Sequence, residues 1–216
     1  MKKLIISYTL LLVLFTLNVS FSQETGLTPT PKNAEEYLIR GVAKHDAGNF
    51  KDAIQDYNKA IELNSIYTEA YINRGLAFGK LEDYHSAIKD FNKAIELKSN
   101  YPEAYNNRGI ALSKLNDYQH AMLDFDKAIE LNPDYAEAYV NRGLTDVVMG
   151  DYIKVILDYT KVIELNPNYA DAYYNRAFAK YNLQDYKVQF RITPKPSSST
   201  QITLKLIVIV EPQSIP

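Results

Sequence analysis

The sequence predicts an all-α fold, a right-handed α-solenoid of about four and a half antiparallel helix pairs. Three observations lead to this prediction. A 34-residue period runs through most of the chain, each period holds two segments with helical apolar spacing, and helix-stopping residues separate them. One helix pair cannot bury its own apolar face, whereas stacked copies can. The chain has 216 residues, 46% of them apolar, which suffices for such an array.

The first 22 residues are predicted to be an export signal that is not part of the fold. A basic start at Lys2 and Lys3 precedes a mostly apolar run, and Ser22 closes a small-x-small end suited to cleavage before Gln23. The alternative is an uncleaved membrane anchor, because the apolar run is just short of a bilayer span. The chain contains no Cys, so a lipoprotein is not expected. We expect a protein of the periplasm or cell envelope, or a secreted one.

Residues 23–33 are predicted to be a linker, because they contain two Pro and show no apolar period. The repeats then begin. We assign the array to residues 34–187, with four full copies and a partial fifth. Their bounds are 34–67, 68–101, 102–135, 136–169 and 170–187.

The period is defined by slots that hold the same residue type in successive copies. The Tyr slot comprises Tyr37, Tyr71, Tyr105, Tyr139 and Tyr173. The Arg slot comprises Arg40, Arg74, Arg108, Arg142 and Arg176. Gly follows Arg in four copies, at Gly41, Gly75, Gly109 and Gly143. Because glycine inside a helix costs about 0.5–1 kcal/mol relative to alanine, its recurrence indicates a close helix contact.

The third copy illustrates the helix pair. Helix A is predicted over 102–115 and helix B over 118–131. Between them, Asn116 and Asp117 form a turn-forming pair that can cap helix B. Pro133 follows helix B and cannot continue it.

Helix B of the first three copies adds further slots in the order alanine, aromatic, alanine, which in the third copy are Ala121, Phe125 and Ala128. With these slots the chain resembles the tetratricopeptide repeat family, whose aromatic-Leu-Gly start is written here as Tyr-x-x-Arg-Gly. The resemblance covers 34–187 and departs at the Arg slot, where the family more often has Leu. It implies a superhelix whose A helices line an inner, concave surface that binds proteins or peptides.

A second charged slot offers a partner for the unusual Arg. Asp56, Asp90, Asp124 and Asp158 recur on helix B with the same period. We predict that each Arg pairs with an Asp of its own or an adjacent repeat, since arginine is planar and bidentate. The alternative is that both are solvated surface charges.

Nothing in the sequence points to catalysis, a metal or a cofactor. The three histidines, His45, His85 and His120, share no slot, and no known catalytic or phosphate-binding motif is present. The net charge of −2 gives no field that would favour nucleic acid. We therefore expect a non-enzymatic protein.

The candidate binding residues form an asparagine ladder, which comprises Asn73, Asn107, Asn141 and Asn175. The resemblance implies that such a ladder holds a peptide backbone, whose groups an amide side chain matches. The alternative is that these asparagines cap or bridge neighbouring helices. Flanking positions expected in the same groove are Leu38, Ile72, Asn106, Val140 and Tyr174, although part of this set is expected to be core.

Some family members clamp a C-terminal carboxylate with Lys at the first flanking slot and Asn at the second. Here the first two copies carry Leu38 with Val42, and Ile72 with Leu76. A clamp of that kind is not expected.

The pattern breaks in the last two copies. In the fourth, Val155 and Val162 replace alanine, and Asp146 stands where copies two and three have Phe78 and Leu112. The sequence predicts either a looser repeat or a shifted neighbour.

The fifth copy stops after helix A. Pro194 and Pro196 prevent a second helix, so 188–216 is predicted to be an irregular tail, with 202–210 a β-type run lacking a partner strand. A truncated or frameshifted array and a genuine tail are both open.

These observations predict an exported scaffold that binds a protein or peptide segment, with membrane attachment only through an uncleaved signal segment. An alternative is an envelope subunit that binds a glycan or a cell-wall peptide, because exposed tyrosines can stack on sugars. A third is a fragment without a function of its own.

Overall fold

The computed structural model describes residues 31–183, 186–194 and 204–212. The predicted export signal and most of the predicted linker lie outside these residues. The chain divides into two compact units, Met1–Ala70 and Tyr71–Pro216. We describe the two units separately.

The described residues form nine helices and two strands, and the helices alternate as A and B of the predicted repeats. The helices are α1 (Ala34–Asp46), α2 (Phe50–Leu63), α3 (Thr68–Lys80), α4 (Tyr84–Leu97), α5 (Pro102–Lys114), α6 (Tyr118–Leu131), α7 (Ala136–Met149), α8 (Tyr152–Leu165) and α9 (Ala170–Asn182). In the first unit α1 packs on α2. In the second unit consecutive helices from α4 to α9 pack on one another, which confirms the array of helix pairs.

The B helices begin at the turn residues that the sequence marks. Asp83, Asp117 and Asp151 each cap their helix by accepting a hydrogen bond from the backbone N–H three residues on. Asn116, directly before Asp117, has a φ of 61°, which asparagine tolerates better than most residues. The predicted capping turn is therefore confirmed in the third copy.

The Gly slot lies where helix B places its aromatic ring. A Cβ added at Gly109 would lie 2.7 Å from the Phe125 ring, and one at Gly75 would lie 2.7 Å from Phe91. Ala121 and Ala128, on either side of Phe125 along the helix, are fully buried. The predicted close approach of the two helices is confirmed, and it explains why glycine recurs.

Gly109→Ala should lower the free energy of unfolding by about 1–3 kcal/mol, because its Cβ would push the packed Phe125 ring. The matched control is Gly79→Ala, on α3, where an added Cβ meets nothing within 4 Å. That variant should gain up to about 1 kcal/mol from helix propensity. Urea unfolding followed by circular dichroism measures both changes, and equal effects would refute the steric explanation.

The helix contact at the Gly slot is widest in the fourth repeat, which favours a looser repeat over a shifted neighbour. A Cβ at Gly143 would lie 3.0 Å from the Tyr159 ring, the widest of the four Gly contacts. Val155 and Val162 are both buried in this pair. Asp146 is also fully buried, and neither of its carboxylate oxygens has a hydrogen-bond partner in the described structure.

The prediction of an irregular tail is wrong for two segments. Strands β1 (Tyr186–Pro194) and β2 (Leu204–Pro212) pair antiparallel, with Val188 opposite Val210. The β-type run thus has a partner strand, and residues 186–187 belong to β1 and not to the fifth repeat. The sequence signal was the alternation of apolar and polar residues from Val188 to Ile192, which has the two-residue period of a strand.

Candidate functional site

The predicted asparagine ladder lies on the A helices of the second unit, but its four members have different surroundings. Asn73, Asn107, Asn141 and Asn175 are all half-buried. Asn175 donates from Nδ2 to the Asp171 carbonyl oxygen, 2.9 Å away in its own helix. The Asn107 side chain has no hydrogen bond to any residue that the structure describes, which leaves its donors and its acceptor for solvent or a ligand.

Asn141 takes part in a contact between repeats. Its Nδ2 donates to Asn106 Oδ1 at 2.9 Å, and the Asn106 amide nitrogen lies 3.4 Å from the Tyr135 hydroxyl. Asn106 is 3% exposed. The packing of α5 on α7 therefore uses Asn106 and the amide nitrogen of Asn141, as the helix-bridging alternative predicted for this step.

The flanking residues divide into covered and open positions. Ile72 is 7% exposed and, like Asn106, is part of the packing. Val140 is half-buried, and Tyr174 is 71% exposed. Leu38, in the first unit, is half-buried on α1. The face of the second unit that a ligand can reach thus includes Asn107, Val140 and Tyr174.

The Arg and Asp slots form the predicted pairs, each within its own repeat. Arg108 donates from Nε to Asp124 Oδ2 at 2.7 Å and from Nη2 to Oδ1 at 2.6 Å. The same two-bond contact joins Arg40 to Asp56, Arg74 to Asp90 and Arg142 to Asp158. The aspartates are nearly covered, with 4–7% of the side chain exposed. This excludes the alternative of two solvated charges.

The same arginines also reach the preceding repeat. Arg108 Nη1 donates to Asn92 Oδ1 at 2.6 Å, and Arg142 Nη1 donates to Asp126 Oδ1 at 2.5 Å. Arg176 makes a longer contact, 3.4 Å, with Thr160 Oγ1. Sequence reasoning missed these links, because the acceptor slot changes from Asn to Asp to Thr. The signal was its position, two residues after the Asp that recurs on helix B.

The Tyr slot is explained by two contacts. The guanidinium carbon of Arg108 lies 5.6 Å from the centroid of the Tyr105 ring, and the other repeats share this arrangement. The hydroxyl of Tyr139 donates to the Pro133 carbonyl oxygen at 3.1 Å, so the ring covers the turn between repeats. These tyrosines stabilise the array and do not form an open aromatic ladder.

Burial and pairing act on the aspartates in opposite directions. Burial raises the pKa of the Asp158 carboxyl above its usual value, and the hydrogen bonds from Arg142 oppose this rise. At Asp56 burial acts in the same direction, but bonds from Arg40 and Lys44 outweigh it, so the pKa is lowered. In each pair the cost of burying the carboxylate is thus largely offset by its hydrogen bonds to the basic partner. Loss of that partner would leave a poorly solvated charge.

The described residues contain no group of three His, Cys, Asp or Glu side chains placed to hold a metal ion. A cleft of about 290 Å³ lies on the B-helix side, lined by Met122, Asp126, Arg142, Lys154, Leu157 and Asp158. Its charged groups already have partners, since Arg142 pairs with both aspartates and Lys154 with Asp151. No helix within the described ranges has the length and apolar character needed to cross a membrane.

Many solved structures share this fold, and three of them illustrate the similarity. MamA is 29% identical, with 67% of this chain and 84% of MamA covered and a TM-score of 0.63. The Arabidopsis OM64 TPR domain is 30% identical, with 52% of this chain and 93% of the domain covered and a TM-score of 0.51. The first TPR domain of Spaghetti (RPAP3), bound to the HSP90 peptide SRMEEVD, is 26% identical, with 54% and 93% covered and a TM-score of 0.53.

Sequence comparison points the same way. No curated protein matches the chain. The tetratricopeptide repeat model matches residues 68–101 and 102–135, and a second TPR repeat model matches 41–82 and 149–184. Together these matches span more than half of a chain whose helix pairs follow the same period, and so the chain belongs to the tetratricopeptide repeat family.

Proposed function

We propose that the chain is a non-catalytic scaffold that binds an extended peptide segment along the A helices of its second unit. The observation that carries this proposal is the side chain of Asn107. It is half-buried on α5 and has no hydrogen bond to a described residue. Asparagine is a poor residue for a helix interior, so its recurrence there favours a role outside the helix.

The asparagine amide suits a peptide backbone. It offers one acceptor and two donors, and a backbone amide presents the same groups in return. Asn107 supplies the full set, and Asn175 retains the oxygen of its amide beside the bond that its nitrogen donates. Val140 lies half-buried on α7, the A helix of the next repeat, and offers an apolar side chain to the same ligand. The ladder would therefore hold a chain without reading most of its side chains.

The ligand that fits is an internal segment and not a chain end. The RPAP3 domain was solved with an HSP90 peptide, which supports peptide binding as the function class. This chain has Ile72 and Leu76 at the slots where the family's carboxylate clamp has Lys and Asn. It lacks the cation that would hold a terminal carboxylate there.

The glycan alternative has less support. Exposed aromatic side chains would have to recur along the array to stack successive sugars. In the described helices, the exposed aromatics of the A-helix slots are confined to α9, at Tyr173, Tyr174, Phe178 and Tyr181. A single helix offers a short apolar face and not a ladder.

We further propose that the protein is exported, because residues 1–22 carry the basic start, apolar run and small-residue end of a signal peptide. N-terminal sequencing of the protein from cell-envelope fractions tests this proposal. A mature chain that begins near Gln23 would support it, and an intact Met1 would support the anchor alternative.

Asn107→Ala should weaken peptide binding about 2- to 10-fold, since each lost hydrogen bond is worth roughly 0.5–1.5 kcal/mol. A photo-reactive amino acid at position 107 of the full chain first captures ligands from envelope extract. Peptides tiled from the captured proteins then serve as probes, and fluorescence anisotropy gives the dissociation constants.

Asn100→Ala, at an exposed turn asparagine, is the matched control and should leave binding unchanged. Asn141→Ala should lower stability as well, because it removes the bond to Asn106. Equal affinities for the Asn107 and Asn100 variants would refute the ladder as a backbone clamp. Absence of any captured ligand would favour the fragment without independent function.

A further inference from the structure

Acidic side chains border the asparagine ladder in the second unit. Glu103, Glu137 and Asp171 lie in the first turns of α5, α7 and α9. Each precedes its ladder asparagine by four residues, so the carboxylate and the amide lie on the same face of the helix. All three acidic residues are exposed. The proposed peptide face therefore has an acidic border.

This border is not balanced by a basic side chain of α5 or α7. Within the described part of the chain, the carboxylates of Glu103 and Glu137 form no ion pair and no hydrogen bond. The arginines of the two helices, Arg108 and Arg142, hold aspartates of the B helices. Lys114 lies about 16 Å from Glu103 along α5, farther than exposed charges act at physiological salt.

Tyr135 lies between the two glutamates. It directly precedes α7, and Asn106 of α5 donates to its hydroxyl at 3.4 Å. Burial raises the pKa of this hydroxyl to about 12, and the carboxylates of Glu103 and Glu137 both add to the rise. Both carboxylates are therefore close enough to the same phenol to act on it. Two anions and an aromatic ring thus meet between neighbouring A helices.

The preceding repeat illustrates how a ring in this slot takes a cation. Tyr101 holds the slot of Tyr135, and the ammonium nitrogen of Lys98 lies 4.4 Å from the centroid of its ring. Three residues before Tyr135 the chain has Asn132, which is neutral. The position that supplies a cation to Tyr101 therefore supplies none to Tyr135.

We propose that the peptide held by this face is basic, and that Glu103, Glu137 and Tyr135 bind one of its Lys or Arg side chains. The carboxylates neutralise the cation, and the half-buried ring offers its face to it. The helix dipole favours each glutamate in its own first turn, but it requires no ring beside them. This inference rests on the proposed peptide function and adds the charge of the ligand to it.

The test compares three pools of labelled peptides with blocked ends, which share one apolar composition and carry Lys, Gln or Glu at the same positions. The peptides are about twelve residues long, enough to cross three repeats when extended. Fluorescence anisotropy with the full chain should give about 3- to 10-fold tighter binding of the Lys pool than of the Gln pool, and the Glu pool should bind most weakly. The preference for Lys should fall at high salt.

Glu103→Gln combined with Glu137→Gln should bring the affinities for the Lys and Gln pools close together. The matched control is Glu130→Gln with Glu164→Gln, which removes the same charge from exposed positions on two B helices and should keep the preference. Glu103→Lys with Glu137→Lys should invert the order, so that the Glu pool binds more tightly than the Lys pool. Misfolding cannot produce that gain, and circular dichroism establishes that each variant is folded.

Equal affinities of the wild type for the Lys and Gln pools would refute the cation site, as would loss of the preference in the B-helix control. If Asn107→Ala weakens the binding of all three pools and none is preferred, the peptide function stands and the cation site fails. If no pool binds, the cation site fails as well, and the ligands captured at position 107 decide the peptide function separately.

Discussion

Arg108→Ala should lower the free energy of unfolding by about 3–5 kcal/mol, because it leaves the Asp124 carboxylate buried without its partner. Asp124 has 7% of its side chain exposed and accepts two hydrogen bonds from Arg108. Asp124→Ala should cost less, about 2 kcal/mol, since Arg108 is more exposed and keeps its bond to Asn92. Urea unfolding of the wild type and both variants gives these differences.

The double variant separates pairing from packing. Arg108→Leu combined with Asp124→Leu should lie within about 1 kcal/mol of the wild type, because apolar residues often replace a buried ion pair without loss. Lys127→Ala is the control. It breaks an exposed pair with Glu130, 2.7 Å long, and should change stability by less than about 0.5 kcal/mol. Strictly additive effects of Arg108→Leu and Asp124→Leu, measured singly and combined, would contradict a coupled pair.

The Arg108–Asp124 pair illustrates which structural features can be predicted from a repeated sequence. The period revealed the Arg and Asp slots, and the separation of sixteen positions from Arg108 to Asp124 places them on facing helices. Helix boundaries followed from local signals as well, since α6 spans the predicted 118–131 and α5 ends one residue before the predicted 102–115. Each of these features depends on contacts within one repeat. The sequence contains four full copies of that repeat, so the residues that make these contacts recur and can be identified.

Contacts between repeats were harder to predict, because they depend on how far apart neighbouring helices lie. The asparagine ladder has the same residue type in four copies, but the side chains around each asparagine differ. Asn141 finds an acceptor because the third copy has Asn106 at its flanking slot, where the second and fourth copies have Ile72 and Val140. The recurrence of asparagine therefore predicted where the candidate site lies, but it did not predict which of the four side-chain amides has hydrogen-bonding groups left for a ligand.

The aromatic slot on helix B also has different surroundings in different copies. Tyr57 and Tyr159 fill it in two copies and bury a hydroxyl that has no hydrogen-bond partner among the described residues, whereas Phe91 and Phe125 fill it in the others. The slot therefore selects a ring to cover glycine. The hairpin of β1 and β2 was missed for a different reason, since the prolines near it were interpreted as helix breakers alone.

Asp146→Leu should raise the free energy of unfolding by about 3 kcal/mol near neutral pH. Asp146 is fully buried, and its two carboxylate oxygens have no hydrogen-bond partner among the described residues. Burial raises the pKa of this carboxyl from 3.8 to about 6, with Lys154 opposing the rise and Asp158 adding to it. Leucine is the residue of the same slot in the third copy, Leu112, so the substitution restores the pattern of the array.

The pH dependence follows from the direction of that shift. Below pH 3.8 the carboxyl is neutral in both the folded and the unfolded chain, so its charge costs nothing. As the pH rises from there to about 6, the unfolded chain releases the proton more readily, and the wild type loses stability relative to the variant. The stability difference should therefore grow across this range and stay constant above it. Unfolding curves of both proteins between about pH 4 and pH 8 measure it.

Asp146→Asn separates charge from polarity. This variant removes the titration but keeps a polar group in the same volume, so it should lose the pH-dependent difference and retain part of the destabilisation. The charged groups around the site, Lys154, Asp158, Asp151 and Arg142, are unchanged in both variants, so their titration cancels in the comparison. A stability difference that does not vary with pH would mean that Asp146 is solvated or paired in solution. The fourth repeat would then owe its looseness to Val155 and Val162 instead.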